Sequence, residues 1–410
     1  VSDSERDTAT PAGRKSNPEP SGEHPKPISE DRSAAFTVGE TLRGRVVDVA
    51  FGGEAVVKME DFVFFVPFSA VGEEIEFEVL ELKRSFGRGR LTRVVTPSPD
   101  RVEPKCRHFG ECGGCQYQHL SYPAQLRIKH KQITDLFQRV GGFKNVVIDP
   151  VVASPAEYGY RNRIMVRSQW NKRKQGLEIG FIRHDNNWVV SVEECPIAEP
   201  EVSAGIRGVH ENPPPKGGLK VVIRKFPDDW EVPRDSFFQN NFHLLPKLVE
   251  TVGNRLRDGG SRFLLDVYCG VGFFGISLAS LVERFAGIEA DKPAIHAAEE
   301  NLRRRGILNG EFIRGEAQAL LPQMLQRFPA GATTVLLDPP RTGCDKASME
   351  LLRSVRPRQI LYISCHPATL ARDLNVLCGD GVYELARVTP LDMFPQTQHV
   401  ECVADVRLVG

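Results

Sequence analysis

The chain lacks a surplus of either charge. Its 53 Lys and Arg are matched by 53 Asp and Glu, giving a formal net charge of +0. The overall balance therefore points to no particular partner. It also lacks any run of about 18 apolar residues, so no membrane-spanning helix is expected. The first residues hold no apolar stretch, so no secretory signal is expected either. Nine cysteines without such a signal imply free thiols or metal ligands in a reducing cytosol. The expected location is cytoplasmic.

What the chain does have is local charge. Basic clusters occur at Lys83-Arg84 with Arg88, Arg90 and Arg93, at Arg161, Arg163 and Arg167, at Lys172-Arg173-Lys174 and at Arg303-Arg304-Arg305. Such runs are most often solvated faces. Several of them beside aromatic residues point to a polyanion partner.

The 410 residues divide by pattern into four parts. Residues 1–36 are rich in Ser, Pro and acids and poor in large apolar side chains, so disorder is expected. Residues 37–96 alternate apolar and polar residues between glycine turns, as in Glu74-Ile75-Glu76-Phe77-Glu78-Val79. Short strands at this spacing predict a small β-barrel of the OB kind. Residues 97–235 are mixed α+β and contain a cysteine cluster. From 236 to 410 strand and helix alternate, and Phe263–Val267, Arg284–Glu289, Thr334–Asp338 and Ile360–Ser364 read as buried strands. That pattern predicts a doubly wound α/β sheet.

The first of these strands runs into Asp266-Val267-Tyr268-Cys269-Gly270-Val271-Gly272-Phe273-Phe274-Gly275. Glycines there let the backbone approach a ligand. No Gly-Lys-Ser/Thr follows, which excludes a Walker loop. Gly270, Gly272 and Gly275 formally match a dinucleotide turn. Asp266 at the strand and Asp338-Pro339-Pro340-Arg341 at a later one favour a class I (Rossmann-like) S-adenosylmethionine methyltransferase over a dehydrogenase. Glu289 ends the next strand, where an acid can hold ribose hydroxyls.

A thiol, Cys365, follows the apolar run Ile360–Ser364. Ligands of open α/β sheets bind beyond strand carboxyl ends, so a nucleophile facing a cofactor is one reading. A small buried hydrophobe is the other. Cys106, Cys112 and Cys115 form a separate group around Gly113-Gly114, and Cys195 comes later. Thiols this close in a cytosolic chain indicate a metal or an iron–sulfur site. The Cys-x5-Cys-x2-Cys spacing lacks the paired knuckles of a zinc ribbon. A structural 4Fe-4S cluster is favoured, with zinc, and His108 as a further ligand, the alternative.

Together these residues resemble the RNA uracil-5 methyltransferases, which make 5-methyluridine. The resemblance spans roughly residues 38–410. The barrel resembles a TRAM domain, and Tyr160-Arg161-Asn162-Arg163 a basic motif of the central part. Phe237-Phe238-Gln239-Asn240-Asn241 matches the family's Phe-x-Gln-x-Asn. The set is completed by Asp-Pro-Pro-Arg, by Ser364-Cys365-His366-Pro367 through Arg372-Asp373, and by Phe394-Pro395-Gln396-Thr397-Gln398-His399-Val400-Glu401. The resemblance implies that Cys106, Cys112, Cys115 and Cys195 hold the cluster. It implies that Gln239, Tyr268, Glu289, Asp338 and, less directly, Glu316 bind S-adenosylmethionine. It implies that Cys365 adds to carbon 6 of uracil and that Glu401 removes the carbon 5 proton. Phe273 departs from the pattern of many relatives, whose turn carries Asn after the second Gly.

The chemistry explains why a thiol is needed. Carbon 5 of uracil is too weakly nucleophilic to take a methyl group unaided, and adding a thiolate at carbon 6 turns it into an enolate carbon. The expected partner is RNA, with 23S rRNA favoured over tRNA, and the expected state is a monomer. A methyltransferase acting on an exocyclic amine, or a non-catalytic RNA-binding protein, are the competing readings. His399 is expected on a strand, in a packing role.

Overall fold

The computed structural model describes residues 32–409. Almost all of the tail expected to be disordered lies outside the described residues. The packed structure begins at Phe36, whose ring meets those of Phe62 and Phe64 at 5.1 and 5.0 Å.

Five strands close the expected barrel: β1 (Thr41–Val49), β2 (Glu54–Met59), β3 (Phe62–Pro67), β4 (Glu74–Leu82) and β5 (Gly87–Thr96). Their order is β1-β2-β3-β5-β4. The period-2 pattern decides which way each residue faces. Phe64, Val66, Ile75, Phe77 and Val79 fill the interior. Each such buried side chain contributes about 1.5–3 kcal/mol. Glu74, Glu76 and Glu78 face outward, toward Arg43, Arg93 and Arg90 on the neighbouring strands.

The chain continues through α1 (Tyr122–Asp135), β6 (Val147–Ile148), β7 (Arg163–Asn171), β8 (Gly176–Ile182), β9 (Val189–Ser191), α2 (Pro200–Glu211) and β10 (Lys220–Arg224). An antiparallel sheet forms in the order β10-β7-β8-β9. Val202 and Ile206 of α2 cover one face, packing in one core with Ile164, Val166 and Ile179. The α1 helix does not join that core. Ile133 and the following Phe137 pack into the C-terminal sheet instead.

That sheet alternates with helices: α3 (Leu245–Gly259), β11 (Phe263–Val267), α4 (Phe273–Ser277), β12 (Arg284–Glu289), α5 (Lys292–Arg304), β13 (Gly310–Arg314), α6 (Ala317–Arg327), β14 (Thr333–Leu337), α7 (Lys346–Val355), β15 (Gln359–Ser364), α8 (Pro367–Cys378), β16 (Tyr383–Leu391) and β17 (Glu401–Leu408). Its order is β13-β12-β11-β14-β15-β17-β16-β6. The first five run parallel, which buries them on both faces and explains their unbroken apolar runs. β17 lies antiparallel between β15 and β16. Among the described residues no helix is long and apolar enough to cross a membrane.

Candidate active site

β15 and β17 pair Ile363 with Val403 and Ser364 with Cys402. One step further along this antiparallel register, Cys365 stands across from Glu401. The chain leaves β15 at Cys365 and enters α8 at once. Pro367 opens the helix, and the His366 ring nitrogen accepts the Thr369 N–H at 3.3 Å. His366 is thus used as a helix cap.

Both residues line a cavity of about 590 Å³ beyond the strand ends. Gln239, Tyr268, Glu289 and Asp338 line it too, and so do Arg341 and His399. This gathers every expected catalytic and cofactor residue except Glu316. That residue caps the start of α6 at an exposed position, outside the cavity lining. Arg341 carried no role in the sequence reading, although its motif was visible. His399 lies in the turn before β17, not on the strand. Its ring packs edge-on against Phe394 at 5.9 Å.

The Gly-rich turn is built around a buried carboxylate. Asp266 Oδ2 accepts the Gly275 N–H at 2.8 Å. Burial pushes the Asp266 carboxyl up to about 7, against the pull of that hydrogen bond. Gly272 sits at φ 84°, and a Cβ there would lie 2.5 Å from the Phe312 ring. Tyr268 holds the left-handed region at φ 66° without being glycine, a strained geometry characteristic of functional sites. Glu289 is oriented from two sides, accepting the Gly270 N–H at 3.1 Å and the Asp291 N–H at 2.9 Å. Gln239 donates to Asp338 at 3.4 Å. Phe273 is buried against Trp230 and Phe238. It contributes an apolar wall and no hydrogen bond.

Charge is concentrated where the thiol sits. Burial and the Glu401 carboxylate push the Cys365 thiol up to about 11, and the nearby Arg341 guanidinium pulls the other way. Burial, with Asp338 adding to it, raises Glu401 well above the carboxylate range. Asp338 itself is pushed up to about 7 by burial and then by Asp266. Carboxyls raised in this way take up and release protons more readily near neutral pH, which suits proton transfer.

The turn that carries Phe394 and His399 into Glu401 is gripped by distant parts of the chain. The Gln116 and Tyr117 N–H groups both donate to the Gln396 carbonyl at 3.0 Å. Gln125 donates to Gln396 Oε1 at 2.9 Å and accepts the Gln396 N–H at 3.0 Å. Lys129, wholly buried, pairs with the equally buried Asp392 at 2.6 Å and donates to the Phe394 carbonyl. Gln396 is itself left-handed at φ 69°.

Cys106, Cys112, Cys115 and Cys195 do not line this cavity. They line a second one of about 220 Å³, together with His108. Burial pushes all four thiols up, Cys112 to about 11. Among the described residues no group of three or more His, Cys, Asp or Glu side chains is gathered closely enough to hold a metal ion. Arg161 lines both cavities.

With this geometry in place, comparison with known proteins is informative. Residues 216–407 match the model of the tRNA (uracil-5-)-methyltransferase family. A protein of Thermosynechococcus vestitus named an uncharacterized RNA methyltransferase is 30% identical over 89% of this chain and 98% of its own length. The chain belongs to the RNA uracil-5 methyltransferase family. A second relative, also named an uncharacterized RNA methyltransferase, comes from Halalkalibacterium halodurans. It is 30% identical over 92% of the chain and 99% of its own length. The chain is also similar to the crystal structure of the tRNA (uracil-54, C5)-methyltransferase of Pyrococcus abyssi in complex with S-adenosyl-L-homocysteine. That similarity has a TM-score of 0.66 at 28% identity, over 89% of this chain and all of the other. As a family member the protein is an RNA methyltransferase.

Proposed function

We propose that the protein methylates carbon 5 of a uridine in large-subunit ribosomal RNA, with Cys365 as the nucleophile and Glu401 as the base. The observation that carries this reading is the placement of Cys365 across from Glu401 in a cavity that also holds Gln239, Tyr268, Glu289 and Asp338. The volume lies within the range of small-ligand sites. The oriented Glu289 carboxylate suits ribose hydroxyls, and the phenylalanine walls suit an adenine. Asp338 acts electrostatically on the Cys365 thiol and accepts from Gln239 at 3.4 Å, so this pair suits the methionine end. These residues fit S-adenosylmethionine, which when bound supplies an electrophilic methyl group on a sulfonium.

The chain's own residues do the rest. The Cys365 thiolate bonds to carbon 6 of a uridine displaced from its stack. Arg341 stabilises that thiolate before attack. Carbon 5 then carries the nucleophilic electron pair. After methylation Glu401 takes the carbon 5 proton, the carbon 6–sulfur bond breaks, and Cys365 leaves as thiolate. Burial of Glu401 keeps water away from the base.

The four-cysteine cavity is read as a 4Fe-4S site. Thiols are the donors such clusters take, and Cys106, Cys112, Cys115 and Cys195 line one cavity, though among the described residues they are not drawn together as closely as a bound metal would hold them. The ribosomal assignment rests on the combination of barrel and cysteine site. A transfer RNA target is the second reading, favoured by the likeness to the Pyrococcus abyssi tRNA enzyme. We place the enzyme in the cytoplasm, acting as a monomer.

One experiment tests the chemistry and the target. The enzyme is given total RNA containing 5-fluorouracil, with S-adenosylmethionine. Fluorine cannot leave as a proton, so a covalent protein–RNA adduct is expected to persist, and the attached RNA can be sequenced. Cys365→Ala should give no adduct. Glu401→Gln should accumulate adduct even on ordinary RNA. Full methyl transfer by Cys365→Ala would overturn the mechanism, and attached tRNA would select the second reading.

A further inference from the structure

Two basic surfaces suggested by the sequence have opposite fates in the fold. On the barrel, four of the arginines are already paired with acids. Arg88 pairs with Glu54, Arg90 with Glu78, Arg93 with Glu76 at 3.9 Å and Arg43 with Glu74 at 2.7 Å. The acids that alternate along β4 meet them across the strands. Such a face offers a polyanion little net attraction.

The open face of the four-stranded sheet is different. Period-2 alternation sends Ile164, Val166 and Ser168 of β7 into the core, and leaves Arg163, Met165 and Arg167 on the other side. The register sets Lys220 beside Arg167, Val222 beside Met165 and Arg224 beside Arg163. Among the described residues no carboxylate oxygen lies within 4.0 Å of the charged nitrogens of Arg161, Arg163, Arg167, Lys220 or Arg224. The acids nearby are engaged elsewhere. Glu178 is held by Lys174 at 2.8 Å, and Glu199 and Glu201 by Lys225 at 2.7 and 3.1 Å. Asp235 lies near Arg224 without pairing with it. Burial and the like charge of Arg163 lower the Arg224 pKa, so these cations repel one another when nothing covers them.

The same surface runs into the catalytic cavity. Arg224 donates to the Ser236 carbonyl at 2.6 Å, and Phe237 follows at the cavity, 59% exposed. Arg161 donates to the Arg163 carbonyl at 3.1 Å and lines the cavity itself. Two apolar side chains, Met165 and Val222, stay 40% and 43% exposed amid the cations.

We propose that the open face of the β7–β10 sheet, bearing Arg163, Arg167, Lys220 and Arg224, is the platform that grips the RNA strand flanking the target uridine, and that the barrel is not. Phosphates would neutralise the unpaired cations, while Met165 and Val222 lie against sugar and base. Arg161 and Phe237 then lead the strand to Cys365. This inference rests on the proposed RNA methylation.

The test compares two triple variants in the full-length protein. One is Arg163→Gln, Arg167→Gln, Lys220→Gln. The other is Arg88→Gln, Arg90→Gln, Arg93→Gln. Binding of a single-stranded uridine-rich oligoribonucleotide is measured across a salt series, with thermal melting as the folding control. Each lost phosphate contact removes roughly 0.7 from the slope of log K against log salt. The sheet variant should lose about 2 from that slope, and its KM for RNA should rise at least about tenfold at physiological salt. The barrel variant should keep the wild-type slope. A lowered slope in the barrel variant with an unchanged sheet variant would overturn the platform, as would two unchanged slopes. Methyl transfer by the wild-type enzyme is measured in parallel. Its absence would remove the proposed function whatever the slopes show, so the two failures are separable.

Discussion

On the proposed mechanism, Arg341 governs the reactivity of the thiol. Burial and Glu401 both disfavour the Cys365 thiolate, and the guanidinium is the cation that opposes them. Removing it therefore pushes the thiol further up. A group that reacts as its deprotonated form gains rate as pH rises towards its pKa, so the ascending limb of the pH–rate profile should move to higher pH. Arg341→Gln is expected to slow adduct formation on 5-fluorouracil RNA by about tenfold or more near neutral pH, corresponding to about one pKa unit. Raising the pH should recover part of that loss. Arg341→Lys, which keeps the charge, should recover more. An unchanged profile for the glutamine variant would show that the guanidinium does not govern the thiol.

At the scale of elements, the site depends on a turn that distant parts of the chain help to fasten. The residues between β16 and β17 include the left-handed Gln396, and hydrogen bonds from Gln116, Tyr117 and Gln125 fix it. Gln125→Ala removes a reciprocal pair and leaves buried amide groups unsatisfied, at a cost of about 1–3 kcal/mol. The turn leads directly into Glu401, while Cys365 is held separately by β15 and α8. The variant should therefore form the covalent adduct at nearly the wild-type rate and release it more slowly. Single-turnover kinetics would resolve the two steps, and equal slowing of both would disprove the separation. This clamp also marks the limit of what could be read from the sequence. Strands β11, β12, β14 and β15 were legible because buried parallel strands read as apolar runs. Cys365, Glu401 and the Gly-rich turn stood in local motifs. The Gln125–Gln396 pair joins residues 271 apart, and no local period records such a contact. The barrel's basic cluster shows a related limit. Its arginines and the acids of β4 are both visible in the sequence, but only the cross-strand register shows which of them pair.

For the molecule as a whole, the four-cysteine cavity ties together parts that no single core joins. Cys106, Cys112 and Cys115 lie between the barrel and α1, whereas Cys195 follows β9 of the central sheet. Gln116 and Tyr117, next to Cys115, grip the catalytic turn. A cluster bound by all four thiols would therefore brace the sheet, the barrel's outgoing chain and the turn at one point. Protein purified without oxygen is expected to be brown and to contain iron. Cys195→Ser, which removes the proposed ligand farthest along the chain, should lower the iron content. It should also open the segment around residues 105–119 to limited proteolysis, because bound metal contributes directly to folding free energy. The loosened segment then frees Gln396, so the variant should share the slow adduct release of Gln125→Ala while keeping its thiol reactive. Colourless wild-type protein carrying one tightly held zinc would rule out the cluster. An iron-free Cys195→Ser protein with wild-type protease resistance would instead show that the brace lies in the polypeptide alone.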